Sequence, residues 1–369
     1  MTGSGQYARC LLAALTEADD GNEYVLVGPA DARPNFLAGR LWRWRTVETP
    51  FRRLSRQLDK VWFEQVSLPS ALSAEEVDLV HYPYFASPLF PTNRVVVTLH
   101  DLIPLLLKPY RGSPAVRLYT CLVAAAARRA HGIIADSECT RTDIVRLLGI
   151  SQAKVSVVYL AADERFKPIE DREAVKQVCR KFGLGDNVIL YLGGLDHRKN
   201  VGALIGAFAQ LRRAFGGLQL AIAGQPTGQS KLFPDIRRVV YEAGVQDQVV
   251  FLGPVSEEDR PLLYNAARLF VFPSLYEGFG LPPLEAMACG TVVACSNASS
   301  LPEIVGDAAL TFDPRNQEAM VEAMRKGLVH GALRDEMRAK GLERARGFSW
   351  RKTALETLRV YDSVCSLKR

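Results

Sequence analysis

Short apolar runs, each followed by a segment of helical spacing, recur along almost the whole chain. This alternation limits the fold most, because strands separated by helices pair in parallel and need cover on both faces. The N-terminal half supplies YVLVG, VDLVHY, RVVVTLH and GIIAD, with amphipathic stretches such as AVRLYTCLVAAAARRA between them. The C-terminal half supplies VILYLGG, LQLAIAG, VVFLG, LFVFPS, TVVACS and AALTFD. Their apolar continuity fits strands buried on both sides. The expected class is α/β with parallel sheets.

Regular alternation lapses around LAADERFKPIEDREAV, where Pro168 disfavours helix at Lys167 and Arg165–Pro168 reads as an extended linker. A length of 369 residues suits two domains. They are placed at residues 1–163 and 164–348, and residues 349–369 carry a last helical pattern. At the start, GSGQYA reads as a glycine turn entering a helix, yet no strand precedes it. The first N-terminal strand is therefore expected to be missing, through a start assigned too late or a truncation.

Composition narrows the function classes. Hydrophobic residues at 48% and charged residues at 23% describe a globular chain rather than a disordered one. Residues 1–160 hold 18 Lys+Arg against 15 Asp+Glu, and residues 161–369 hold 28 against 25. That even balance gives no reason to expect a nucleic acid partner. One local excess, Arg40 to Lys60, has seven basic and two acidic residues with Trp42 and Trp44 among them. It fits an edge strand over Leu41–Val47 followed by a solvated helix face, or else a peripheral membrane contact or an anionic substrate. The seven cysteines are scattered and none forms a CxxC pair, which favours a reducing compartment over a structural zinc. No leader and no spanning apolar run is seen, so a cytoplasmic protein is expected, with contact at the inner membrane face open.

Candidate site residues cluster where strands end, since ligands of open α/β sheets gather outside the carboxyl ends of strands. Gly3, Gly5 and Ala8 fit a GxGxxG/A pattern, which brings a backbone close to an anion or simply makes a tight turn. His100 and Asp101 end RVVVTLHD. Gly193 and Gly194 end VILYLGG, and Arg198 and Lys199 follow before a helix that Asn200 is expected to cap. Two cations beside a helix N-terminus suit a diphosphate, or else a solvated basic turn.

The stretch SLYEGFGLPPLEAMACG places Glu277 in a loop after RLFVFPS and Glu285 in the first helical turn or just after it. Pro282 and Pro283 suit that first turn, and Gly290 the stop. The amides of Gly278, Phe279, Gly280 and Leu281 can face an anion, whereas the glutamates suit hydroxyl donors. A nucleotide sugar offers both. The acidic runs at Ser256 and Asp19 read as a helix N-cap and a turn, and no Asp-x-Asp ends a strand as a metal-bound nucleotide sugar would require.

The segments YLGGLDHRKNV and FLGPVSEEDRPLLYNAARLFVFPSLYEGFGLPPLEAMACGTVVACSNASSLPEIVGDAALTFDP closely resemble glycosyltransferase family 4, the group 1 type. TGSGQYARCLLAAL, TLHDLIPLL and IIADSECTRTDI agree more loosely. The resemblance implies the GT-B fold, two Rossmann-like domains facing across a cleft, with the last helix packing back on the first. It implies retaining transfer of a hexose from a nucleoside diphosphate sugar, without a metal or other cofactor. Glu277 is then expected near the donor sugar and Glu285 on the ribose. Arg198 and Lys199 are expected on the diphosphate, with Gly194 and Gly278–Leu281 around it. His100 would face the donor sugar, Gly5 the cleft, and Tyr7 and Asp101 the acceptor. The acceptor is expected to be a glycan or lipid-linked, and HDLIP leans towards mannose. Other readings are a different GT-B enzyme, such as a nucleotide-sugar epimerase or a phosphorylase, and a non-catalytic nucleotide-sugar-binding remnant. Ala161-Ala162, where relatives often carry Asn-Gly or Gly-Val, is a minor departure.

Overall fold

The computed structural model describes residues 3–29, 42–51, 56–73, 75–224, 232–329 and 331–367. The chain divides into two compact units, one of Met1–Leu160 with Trp350–Arg369 and one of Ala161–Ser349.

The first unit opens with α1 (Gly3–Ala18), β1 (Tyr24–Gly28), β2 (Trp42–Thr46), α2 (Arg56–Trp62) and α3 (Leu68–Ser73). It continues with β3 (Leu79–Tyr82), β4 (Arg94–Leu99), α4 (Ile103–Leu106) and α5 (Pro114–Arg129). Next come β5 (Gly132–Ala135), α6 (Glu138–Leu148) and β6 (Val155–Val157). The three residues of β6 carry too little pattern to be read from sequence. Strands β3–β4–β5–β6 form one parallel sheet, and β1–β2 a separate parallel pair. Among the described residues β1 and β3 are therefore not hydrogen-bonded neighbours.

Local chemistry sets the helix ends. Ser113 and Ser137 cap α5 and α6 by accepting from the amides of Val116 and Thr140, and Gly149 closes α6 in the left-handed region. Val95, Val96, Val97 and Leu99 of β4 are at most 1% exposed, and burying each contributes roughly 1.5–3 kcal/mol.

The second unit comprises α7 (Arg172–Phe182), β7 (Val188–Leu192), α8 (Val201–Leu211), β8 (Gln219–Ala223), α9 (Ile236–Glu242) and β9 (Val249–Gly253). It goes on through α10 (Asp259–Ala266), β10 (Leu269–Phe272), α11 (Leu281–Ala288), β11 (Val293–Ser296) and α12 (Leu301–Val305). It ends with β12 (Leu310–Phe312), α13 (Gln317–Val329) and α14 (Gly331–Arg346). Its six strands are ordered β12–β11–β10–β7–β8–β9 and are parallel. The order reverses between β7 and β10, so the switch point of this sheet lies at their carboxyl ends. The linker is tied down: Asn265 accepts from the Ile169 amide and donates to the Lys167 carbonyl.

The last helix, α15 (Trp350–Cys365), packs on α1 and on β3, β4 and β5 of the first unit. A Cβ on Gly132 would lie 2.7 Å from Val364, so glycine is what lets α15 approach β5. Trp42 and Trp44 are half-buried; Trp42 stacks on Tyr24 at 4.4 Å and donates to Thr16, and Trp44 donates to Thr46. Of the basic segment, residues 40, 41 and 52–55 lie outside the described residues. Among the described residues no helix is long and apolar enough to cross a membrane.

Candidate active site

In the second unit the residues singled out after β7 and after β10 meet at the switch point. Strand β7 delivers Gly193 and Gly194, then a 3-10 turn over His197–Lys199 presents the cations. Strand β10 delivers Ser274 and the loop to Gly280. One oxygen of Glu277, Oε1, accepts from Lys199 Nζ at 2.6 Å and Ser274 Oγ at 2.5 Å, and it is ion-paired at 2.9 Å with Arg198 Nη1, which donates to the Tyr276 carbonyl at 2.7 Å. Burial alone would raise the Glu277 carboxyl, but Lys199 and Arg198 outweigh it and hold it below the ordinary carboxylate value. Asp196, which sequence reasoning passed over, stands 3.6 Å from Arg198 Nε. These four groups carry two positive and two negative charges. The cations are therefore positioned rather than in excess.

The loop after Glu277 is fixed by the turn that follows β11. The Ser299 hydroxyl accepts from the Glu277 amide at 2.8 Å, and the Ser300 hydroxyl lies within donating distance of the Glu277 and Phe279 carbonyls. Phe279 is buried with its ring edge-on to Phe348. Gly280 adopts φ +120°, and a Cβ there would sit 2.7 Å from Leu301, so both conformation and space demand glycine. Helix α11 starts at Leu281, with Pro282 and Pro283 next. These prolines remove two of the first amides, which leaves the loop and Leu281 to offer N–H groups. Gly194 shapes the facing edge, where its carbonyl accepts from Tyr191 at 2.5 Å.

Glu285 falls just after the first turn of α11 and is 1% exposed. Nη2 of Arg260 lies 2.7 Å from both its oxygens, and Tyr264 donates to Oε2 at 2.9 Å. Neither partner was singled out in the sequence; Arg260 lies in the first turn of α10, whose N-cap position is Glu258 rather than the expected Ser256, although the Ser256 hydroxyl accepts from the Asp259 amide. Asn200 does occupy the N-cap position of α8, but in the left-handed region at φ 56° and without a capping bond. Its amide instead donates to the Pro314 carbonyl, which corrects the expected cap.

The first unit organises its own strand ends. Leu99 on β4 is in register with Ala135 on β5, so the next residues, His100 and Asp136, fall side by side. His100 Nδ1 is 2.7 Å from Asp136 Oδ2 and Nε2 is 3.1 Å from the Pro83 carbonyl. Both sites can accept from a ring N–H, an arrangement that favours the doubly protonated imidazole. Burial works against that charge, but Asp136 and the Pro83 carbonyl prevail and raise its pKa. Asp136 was missed although IIADS ends a strand beside the one that delivers His100.

Asp101 accepts from the Ile103 amide at the start of α4. Tyr7 is 1% exposed; its hydroxyl is bonded to Thr98 at 3.0 Å and its ring meets His100 edge-on. The expected glycine turn is helix already: Gly3 and Gly5 lie in the first turn of α1. Among the described residues no three His, Cys, Asp or Glu side chains gather as a metal ion would require.

The Glycosyl transferases group 1 family matches residues 176–344, which contain the whole cluster around Glu277, and Glycosyltransferase Family 4 matches residues 1–166. O-antigen chain mannosyltransferase B of Escherichia coli is 33% identical over 286 residues, which is 77% of this chain and 74% of that protein. The chain belongs to the group 1 glycosyl transferases. Another relative in the group is the serotype-specific mannosyltransferase WbdA of Escherichia coli, 35% identical over 71% of this chain. The chain spans about a third of WbdA's length, 32%. Among solved structures, the sucrose-phosphate synthase of Thermosynechococcus elongatus aligns with TM-score 0.78 at 23% identity, over 98% of this chain and 94% of that one. WaaG, a glycosyltransferase involved in lipopolysaccharide biosynthesis, aligns with TM-score 0.75 at 16% identity, over 100% and 97%. These likenesses establish the GT-B class of fold, with Rossmann-like parallel sheets in both units.

Proposed function

We propose that this chain transfers a hexose, mannose foremost, from a nucleoside diphosphate sugar to a hydroxyl of a glycan or lipid-linked acceptor, with retention at the anomeric carbon. One observation carries the reading: Arg198, Lys199 and Glu277 converge at the switch point of the second sheet, beside the Gly278–Leu281 loop. Arg198 and Lys199 would take the diphosphate oxygens and stabilise charge as the leaving group departs, aided by loop amides. The cations are already held in place by Glu277 and Asp196, so little reorganisation is needed when the donor arrives. Glu277, relieved of part of its hydrogen bonding, would accept from a hydroxyl of the sugar. Glu285, held by Arg260 and Tyr264, would accept from a ribose hydroxyl. The preference for mannose draws on relatives named as mannosyltransferases. No metal or other cofactor has a step in this scheme.

The test is a screen of GDP-mannose, UDP-glucose and other nucleotide sugars for nucleoside diphosphate release, with and without mannose-terminated acceptors. Acceptor-dependent GDP release with an α-linked product by NMR is expected. Inverted product would overturn retention, and no release from any donor would favour the non-catalytic reading.

A further inference from the structure

The opposite, amino edge of the second unit's sheet carries another group of cations. A small cleft of about 80 Å³ lies there, lined by Arg172, Arg268, Arg334 and Arg338 and floored by the turn from Gly290 into β11. Arg268 directly precedes β10, whereas Ser274 follows it, so on the order of 15–20 Å of strand separates this cleft from the Glu277 cluster. The wall contains no aspartate or glutamate. None of Arg172, Arg334 and Arg338 is paired within 4.0 Å to a described carboxylate.

Only one of the four has a visible structural task. Arg268 donates to Asn187 at 3.1 Å and to the Leu328 carbonyl at 2.9 Å, which anchors the end of α13. Arg334 and Arg338 are four residues apart on α14 and share a face. Burial disfavours the charge of the half-buried Arg334, and Arg268 and Arg338 add to this, with Asp335 the opposing contribution. A guanidinium does not shed its proton to escape. Like charges therefore stand beside Arg334, and a planar fork of donors matches phosphate oxygens.

We propose that this cleft binds a small ligand bearing a multiply charged phosphate group, at a site separate from the Arg198–Lys199 cluster. A cleft of this size takes the phosphate group itself, with the rest of a soluble metabolite or a lipid left outside it. Occupancy would be felt elsewhere, because α10 carries Arg260 and ends at the cleft wall, and α11 carries Glu285 and ends at its floor.

The test does not depend on transfer activity. Inorganic pyrophosphate is titrated calorimetrically into the full chain at low salt, against the double variant Arg334→Gln/Arg338→Gln and against Arg198→Ala. The double variant is expected to weaken one binding event by about 10-fold or more per arginine, while Arg198→Ala leaves that event in place. Turnover without pyrophosphate should not change in the double variant. Identical isotherms for wild type and double variant would overturn the proposal. Should the double variant fail to fold, Arg338→Glu at an exposed position decides instead, and wild-type affinity there would overturn it. Phosphatidylcholine vesicles with phosphatidic acid form the second arm. Retention on them that the double variant loses assigns the phosphate to a lipid; pyrophosphate binding without retention assigns it to a soluble ligand.

Discussion

Replacing Arg260 by alanine should destabilise the second unit severely. The carboxylate of Glu285 is 1% exposed and Arg260 is 19% exposed, so the substitution strands a charge that water cannot reach. Breaking a buried pair from one side costs about 3–5 kcal/mol. For a unit of roughly 190 residues each kcal/mol moves Tm by about 2–4 °C, which gives a fall of about 6–20 °C. Differential scanning calorimetry reads this directly. Adding Glu285→Gln to Arg260→Ala removes the stranded charge while Tyr264 can still hydrogen-bond the side chain, so part of the loss should return. A Tm within about 2 °C of wild type for Arg260→Ala would refute the reasoning. The pair would then be dispensable to the fold.

Three further outcomes follow from the geometry. Asp136→Asn should lower the His100 pKa: its cationic form now stabilises the first unit fully below the ordinary value of about 6.5 and ceases to do so as pH rises through the raised value, so the alkaline loss of stability should shift to lower pH. Denaturant midpoints measured against pH check this, and an unmoved profile contradicts it. Glu277, whose pKa is depressed, contributes above its unfolded value near 4.5 and loses that contribution as pH falls through the folded value; Glu277→Gln should flatten this acid limb. Gly280→Ala should cost about 1–3 kcal/mol, measurable by urea unfolding, because φ +120° and Leu301 at 2.7 Å both oppose a Cβ.

Much of this fold can be read from the chain because its strands are continuous apolar runs: VILYL, LFVF and VACS are buried along almost their whole length. The candidate site is legible for a related reason. A parallel sheet places whatever follows each strand at one edge, so Lys199 and Glu277, 78 positions apart, meet without any local signal linking them. Partners chosen by register or by packing between elements were out of reach. Asp136 joins His100 only because Leu99 aligns with Ala135, and Arg260 reaches Glu285 only because α10 packs on α11. Asn200 shows a limit of another kind. Its residue type matches a cap, but left-handed backbone turns its amide to Pro314. Tyr7 sits one turn into α1 beside the glycines, yet the helix faces it inward to Thr98.

The central claim is that Arg198 and Lys199 bear the charge of a departing diphosphate. Single-turnover rates with the donor found by the screen, for wild type, Arg198→Ala and Lys199→Ala, test it most directly. Each variant is expected to lose about 10²-fold or more in the transfer rate while its melting temperature shows it folded. Wild-type rates in both folded variants would contradict it.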